Sequence, residues 1–170
     1  VNMKPHTNIS YGKAGRLKVL VSSPSLRSAF LQGSGDIYLG NLKAEELEVS
    51  LAGSGDIVAG DVTCNGDFSA LLKGSGDIDV KGQIRAKSVS LTLQGSGDLN
   101  VVGVTGSEIS AMLQGSGDLK VRSAYTTSTV TAKLSGSGDM DVLGIRANNV
   151  AAQLAGSGDM TLSGSTRDAT

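Results

Sequence analysis

Seven aspartates recur at a near-constant step along this 170-residue chain, each closing the tetrapeptide Gly-Ser-Gly-Asp. They are Asp36, Asp56, Asp77, Asp98, Asp118, Asp139 and Asp159, spaced 20 or 21 residues apart. Two residues ahead of each stands a serine: Ser34, Ser54, Ser75, Ser96, Ser116, Ser137 and Ser157. Carboxylates and hydroxyls in such an array suit a few kinds of chemistry. They can coordinate a hard cation such as Ca²⁺, which takes oxygen ligands. Two of the carboxylates could flank a glycosidic bond as acid and base or nucleophile. The row could also hold a glycan or another polar ligand. The structural alternative is that Asp and Ser bond to nearby backbone N–H groups at a turn.

Other chemistry is sparse. His6 is the only histidine and lies in an irregular head, so it reads as a solvated loop residue and not as part of a Ser-His-Asp or metal site. Cys64 is the only cysteine, which excludes an internal disulfide and a Cys-rich metal site; it reads as a small core residue or a tolerated surface thiol. No nucleotide-binding glycine loop is present, and Gly-Ser-Gly-Asp lacks the following helix that phosphate binding needs. The balance of 15 basic and 16 acidic residues gives no basic excess for nucleic acid. No apolar run approaches the ~18 residues of a transmembrane helix. No cofactor is implied.

The elements that position the aspartates follow from the same repeat. Five residues before each Asp the chain has Leu31, Leu51, Leu72, Leu93, Leu113, Leu134 and Leu154. Seven before are mostly small residues, and nine before are mainly apolar: Leu47, Phe68, Val89, Ile109, Val130 and Val150, with Arg27 breaking the column. One after come Ile37, Ile57, Ile78, Leu99, Leu119, Met140 and Met160; three after, Leu39, Ala59, Val80, Val101, Val121, Val142 and Leu162. Apolar residues at every second position mean strands. With 24 glycines and no tryptophan, the chain cannot build a core on large rings, yet its aliphatic residues are too regularly placed for disorder. A 20–21-residue unit has the length of one coil with three short faces. The fold expected is an all-β, right-handed parallel β-helix (solenoid) of about seven rungs, advancing about 4.8 Å each. A corner is expected at Gly40, Gly60, Gly82, Gly103, Ser123, Gly144 and Gly164, with positive φ useful there and the 20/21 difference absorbed there. A leucine-rich repeat has a similar period but its spacing of Leu and Asn is absent, a propeller blade needs about twice the length, and nine-residue calcium repeats fail because the motif comes once per long coil.

Within the tetrapeptide, strict alternation would turn both glycines inward and Ser and Asp outward; the alternative is a tight corner. Either way the aspartates stack. Unit charges ~4.8 Å apart repel by roughly 0.9 kcal/mol in water, about 5 kcal/mol over six neighbouring pairs. The column two after the Asp (Tyr38, Val58, Asp79, Asn100, Lys120, Asp141, Thr161) does not neutralise this. Backbone N–H donors and the serine hydroxyls are the expected offset, with bound Ca²⁺ or a ligand stripe as the alternatives.

The organisation expected is an irregular N-terminal segment over 1–16, the β-helix over 17–164 and a C-terminal tail over 165–170. Leu17, Val19 and Val21 read as a leading strand before the Ser23-Pro24-Ser25 turn. Val1 in place of Met suggests a leader removed ahead of this numbering, and Met160 to Gly164 begins a further rung. The end is therefore expected to be a truncation or to be capped by another chain, which allows a homo-oligomer through the solenoid ends.

The repeated Gly-Ser-Gly-Asp-Ile/Leu/Met with its upstream Leu, introduced by Val21-Ser22-Ser23-Pro24-Ser25-Leu26, resembles the head-GIN domain family of auto-transporter adhesins, over about residues 17–164. The resemblance implies a β-helical, non-catalytic bacterial protein that is secreted, periplasmic or outer-membrane-associated. The chain departs from the family in its unusually regular rungs and in lacking the usual closing segment. The function expected is a non-enzymatic structural or adhesin-like binding module of the cell envelope or exterior, whose partner is a glycan or cell-surface protein. The alternatives are a polysaccharide-active enzyme, which would need a long-looped cleft, and a Ca-binding β-helix. An ice-binding array is more remote, because its face should not be charged.

Overall fold

A computed structural model describes residues 26–170. The head over 1–16, the strand expected at Leu17–Val21 and the turn at Ser23–Ser25 lie outside the described residues. Within them the chain winds into stacked coils whose strands all pair in parallel as one 14-stranded sheet, a β-solenoid without a helix. The first coil comprises β1 (Ser28–Leu31), β2 (Ile37–Leu39) and β3 (Leu42–Ala44). The second repeats it with β4 (Leu47–Leu51), β5 (Ile57–Ala59) and β6 (Val62–Cys64). Further along, strands run through corners and fuse: β7 (Phe68–Leu72), β8 (Ile78–Arg85), β9 (Ser88–Leu93), β10 (Leu99–Leu113), β11 (Leu119–Val121), β12 (Ala124–Leu134), β13 (Met140–Leu154) and β14 (Met160–Ala169). They complete about seven coils.

Like stacks on like. Leu51 pairs with Leu72, Leu72 with Leu93, and Leu113 with Leu134, and all five of these leucines are essentially inaccessible. Each fully buried aliphatic side chain contributes about 1.5–3 kcal/mol, so an unbroken leucine column is a main source of cohesion along the axis. The columns seven and nine before the Asp, and one and three after it, are buried with it in the central coils.

A third face closes the triangle with a column that the sequence reading did not extract: Leu42, Val62, Ile84, Val104, Ala124 and Ile145. It was hidden because it lies six residues after the Asp in most coils but seven in the third. Next to it runs a column of small residues, where Ala44 pairs with Cys64. Cys64 is buried there, and burial pushes its thiol pKa up. Thr126 is the buried polar residue of this column. Its hydroxyl donates to the Ser107 carbonyl and accepts the Ser128 N–H at 3.0 Å, so it enters the core satisfied.

Three expectations need correction. The 20/21 difference is not absorbed at one corner. Register shifts fall between Val101 and Gly103 and between Val142 and Ile145, at the expected corner, but also between Gly106 and Glu108 and between Tyr125 and Thr129, at the corner leading back to the first face. Positive φ is not general at the expected corner either: Gly144 (57°) and Gly164 (150°) show it, whereas Gly60, Gly82 and Gly103 are small because Asn41, Asp61 and Gln83 of the coil below press against them. Finally, residues set apart as a tail belong to the solenoid, since Ser165, Thr166, Asp168 and Ala169 pair with β13.

If the leucine column carries the stack, Leu93→Ala should cost about 2–5 kcal/mol in urea denaturation. Ser90→Ala, on the outside of the same strand, should change stability by less than about 0.5 kcal/mol.

Candidate functional site

The Gly-Ser-Gly-Asp corner lies between the first and second faces, and no register shift falls in it: Leu51 to Ile57 stays in step with Leu72 to Ile78 and with Leu93 to Leu99. The tetrapeptide is a bend and not a strand, and its second glycine is buried in the coils after the first, as at Gly76 and Gly97. A Cβ on Gly74, Gly95, Gly115 or Gly136 would run into the carbonyl of the equivalent glycine one coil below, and a Cβ on Gly76, Gly97, Gly117 or Gly138 would do the same. Glycine is required here by the close approach of two backbones.

That approach lets the serine, second-glycine and aspartate amides of the bend find partners in a neighbouring coil. The carbonyl of the first glycine accepts both the Ser N–H and the second Gly N–H of the next coil, as in Ser96 to Gly74 at 3.0 Å and Gly97 to Gly74 at 3.4 Å. The Asp carbonyl accepts the N–H of the residue after the Asp one coil earlier, as in Ile78 to Asp98 at 2.9 Å. The remaining Asp N–H faces the side chain of the Asp below. Asp56 N–H donates to Asp36 Oδ1 (3.2 Å), Asp77 to Asp56 (3.0 Å), Asp98 to Asp77 (2.8 Å), Asp118 to Asp98 (2.9 Å), Asp139 to Asp118 (3.2 Å) and Asp159 to Asp139 (3.0 Å). The carboxylate supplies the acceptor that the bend needs. At a half-exposed site such a bond is worth about 1 kcal/mol, close to the roughly 0.9 kcal/mol by which neighbouring carboxylates repel.

The structure therefore brings all seven aspartates into one line. Six of them are bound through Oδ1 to backbone and not to a common centre. The serines stand in a parallel line, exposed, and the amides of Ser54 to Ser157, not their hydroxyls, make the bonds. Among the described residues no three His, Cys, Asp or Glu side chains converge as a metal site would require.

The flanking column does more than the sequence suggested. Lys120 donates from Nζ to Asp118 Oδ2 at 2.8 Å, and Lys81 to Asp79 Oδ2 at 2.7 Å. Tyr38 hydroxyl approaches Asp36 Oδ2 at 3.4 Å. The Lys120 hydrogen bond, helped by the Asp139 amide, lowers the Asp118 pKa, and the same bond raises that of Lys120. Outward alternation set this pairing: Asp118 and Lys120 are two residues apart and so share a face. Lys120 also borders a groove of about 480 Å³ lined by Asp79, Lys81, Asn100, Val102 and Arg122.

A shorter ladder runs along the next corner, where Asp61 N–H donates to Asn41 Oδ1 (3.0 Å) and Gln83 N–H to Asp61 Oδ1 (2.8 Å). No fixed motif marks it in the sequence. The first face carries an outward hydroxyl row, Ser69, Ser90, Ser110 and Thr131, in register over four coils and bordering a groove of about 350 Å³.

A family profile described as "Putative auto-transporter adhesin, head GIN domain" matches the chain twice, over residues 1–70 and 69–167. No curated protein and no solved structure matches it.

Two sets of variants test the ladder. Asp98→Ala leaves the Asp118 amide without its acceptor and should cost about 1–2 kcal/mol, whereas Asp98→Asn keeps Oδ1, removes two repulsions and should hold or raise stability in chemical denaturation. Gly97→Ala should cost more than about 2 kcal/mol by forcing two backbones apart, and Ser96→Ala almost nothing. For the ion pair, Asp118 has its pKa depressed in the folded state. Its stabilisation is present above the ordinary carboxylate pKa and is lost as pH falls through the folded value. Lys120→Met should therefore move the Asp118 carboxyl titration, read by NMR, up towards the usual 3.8. An unmoved titration would show that the pair does not form.

Proposed function

Because the chain belongs to the head-GIN domain family of auto-transporter adhesins, we propose that it is a rigid binding module displayed at the bacterial cell surface or outside the cell, acting by adhesion and not by catalysis. One observation carries this reading. The coils hold a fixed register, so each outer face presents its side chains as a row with a step of about 4.8 Å. The first face offers the hydroxyl row Ser69, Ser90, Ser110 and Thr131. The corner between the first and second faces offers the carboxylate row, beside the groove of Lys81, Asn100, Lys120 and Arg122. Rows of this kind suit a polymeric or extended partner, such as a glycan chain or a cell-surface protein, in which many weak contacts add along one direction. Catalysis needs one position whose carboxylates differ from their neighbours, and here the environment repeats from coil to coil.

The ladder itself is first a device of cohesion in this reading. Its ligand-facing groups would be the exposed Ser34, Ser54, Ser75, Ser96, Ser116, Ser137 and Ser157 hydroxyls together with the outer carboxylate oxygens of Asp56, Asp77, Asp98 and Asp139. Calcium on the ladder is disfavoured, because the inner oxygens are already committed to amides.

A glycan array probed with the purified chain, run beside a reducing-end assay on the same polysaccharides, tests the proposal. Retained glycans without new reducing ends are the expected result. Release of reducing ends at rates above the buffer blank would overturn it in favour of a polysaccharide-active enzyme.

A further inference from the structure

The third face differs from the other two in charge. Its outward column reads Lys43, Thr63, Arg85, Thr105, Tyr125 and Arg146 in successive coils. It holds three cations and no carboxylate, while the corner between the first and second faces carries the aspartate row. Within this column one step stands out. Tyr125 and Arg146 are direct partners in neighbouring coils, about 4.8 Å apart. They border a groove of about 450 Å³ that also takes in Thr127, Asn148 and Thr166.

Each group in the groove has a defined state. Tyr125 keeps 49 % of its surface exposed in a chain with only three tyrosines, two phenylalanines and no tryptophan. The ion pairs among the described residues are Lys81–Asp79 and Lys120–Asp118, so the Arg146 guanidinium has no carboxylate partner there, and no Asp or Glu lines the groove. The corner beneath is fixed by its own bonds. Asn148 Nδ2 donates to the Thr127 carbonyl at 2.6 Å, and Thr166 Oγ1 to the Asn148 carbonyl at 3.0 Å. The buried Thr126 hydroxyl ties the same corner to Ser107 and Ser128. The corner that carries the groove is thus held in place before any ligand arrives, which cuts part of the ordering cost of binding.

An exposed aromatic ring offers an apolar face of about the width of a sugar ring, with a polar hydroxyl at its edge. A guanidinium one coil away offers a planar fork that matches a carboxylate. Short Thr and Asn side chains around them suit hydroxyl groups, and there is no deep apolar pocket to seat a protein's aromatic anchor. We propose that Tyr125 and Arg146 form a binding site for a carboxylated sugar, a uronate unit of an acidic polysaccharide. The ring stacks on Tyr125, its carboxylate pairs with Arg146, and its hydroxyls meet Thr127 and Asn148. This rests on the adhesive reading and names its ligand class and site.

The test is isothermal titration of the whole chain with trigalacturonate and, separately, with its methyl ester. The wild type should bind the acid, and the ester at least about tenfold more weakly, since esterification removes the charge that Arg146 meets. Arg146→Gln and Tyr125→Ala should each weaken acid binding at least about tenfold, and Arg85→Gln, two coils from Tyr125, should weaken it less than about threefold. If Tyr125→Ala lowers the melting temperature, Tyr125→Thr, which repeats Thr105 of the coil below, takes its place. Equal binding of acid and ester, or wild-type affinity in both groove variants, would overturn the site. Array glycans retained by the Arg146→Gln, Tyr125→Thr double variant as by the wild type would overturn the site while leaving the adhesive reading intact. A wild type that retains no glycan on the array and binds no cell-surface protein would overturn that reading as well.

Discussion

Everything in this solenoid depends on how closely two backbones approach at one corner. On the faces, strands sit at the ordinary sheet spacing, and each N–H finds a carbonyl opposite it. At Gly-Ser-Gly-Asp the chain bends, and the strand ladder cannot continue unaided. Two glycines let successive coils come close enough for the first carbonyl to serve two amides. The aspartate then places a carboxylate oxygen over the aspartate amide of the next coil, which no backbone carbonyl serves. A buried or half-buried amide left unpaired costs about 1–3 kcal/mol, and the corner recurs in every coil. Glycine and aspartate are thus two parts of one solution, and a change in either spoils the other.

The fixed corner also sets the outside of the molecule. Because insertions are kept out of it, the side chains before and after it stay in line from coil to coil. The other two corners tolerate a residue more or less, as the shifts near Gly103, Glu108 and Thr129 show. The serine and aspartate rows at the fixed corner are accordingly uniform, whereas the outward column of the second face changes from Tyr38 to Val58, Asp79, Asn100 and Lys120. The third face, lying between the two tolerant corners, varies as well, and there exposed Tyr125 lies beside Arg146, which has no ion-pair partner among the described residues. A rod with one constant edge can change the side chains of its faces without loss of the scaffold.

Much of this was legible in the sequence, for a physical reason. Stacking places identical residues in contact, so a column of leucines or aspartates in the text becomes a column in space. Leu72 over Leu51, the all-β solenoid and the number of coils follow from that alone. The aspartates were legible as a line but not as acceptors, since sequence does not say which way a carboxylate leans. Counting only two columns after the Asp missed Val62, Ile84 and Val104, which a one-residue slip in the third coil takes out of step. The pairing of Lys120 with Asp118 was there to be read from their two-residue spacing, yet the column average of charge concealed it. Tyr125 and Arg146 gave no signal at all, because their significance lies in being neighbours across coils and not along the chain.

Amide hydrogen exchange, resolved by residue in the intact chain, tests the central claim most directly. The N–H groups of Asp77, Asp98 and Asp118 should exchange as slowly as the strand amides of Leu99 and Leu119, because each is held by the carboxylate below it. Exchange of these three at the rate of an unstructured peptide, with the flanking strands still protected, would contradict the account.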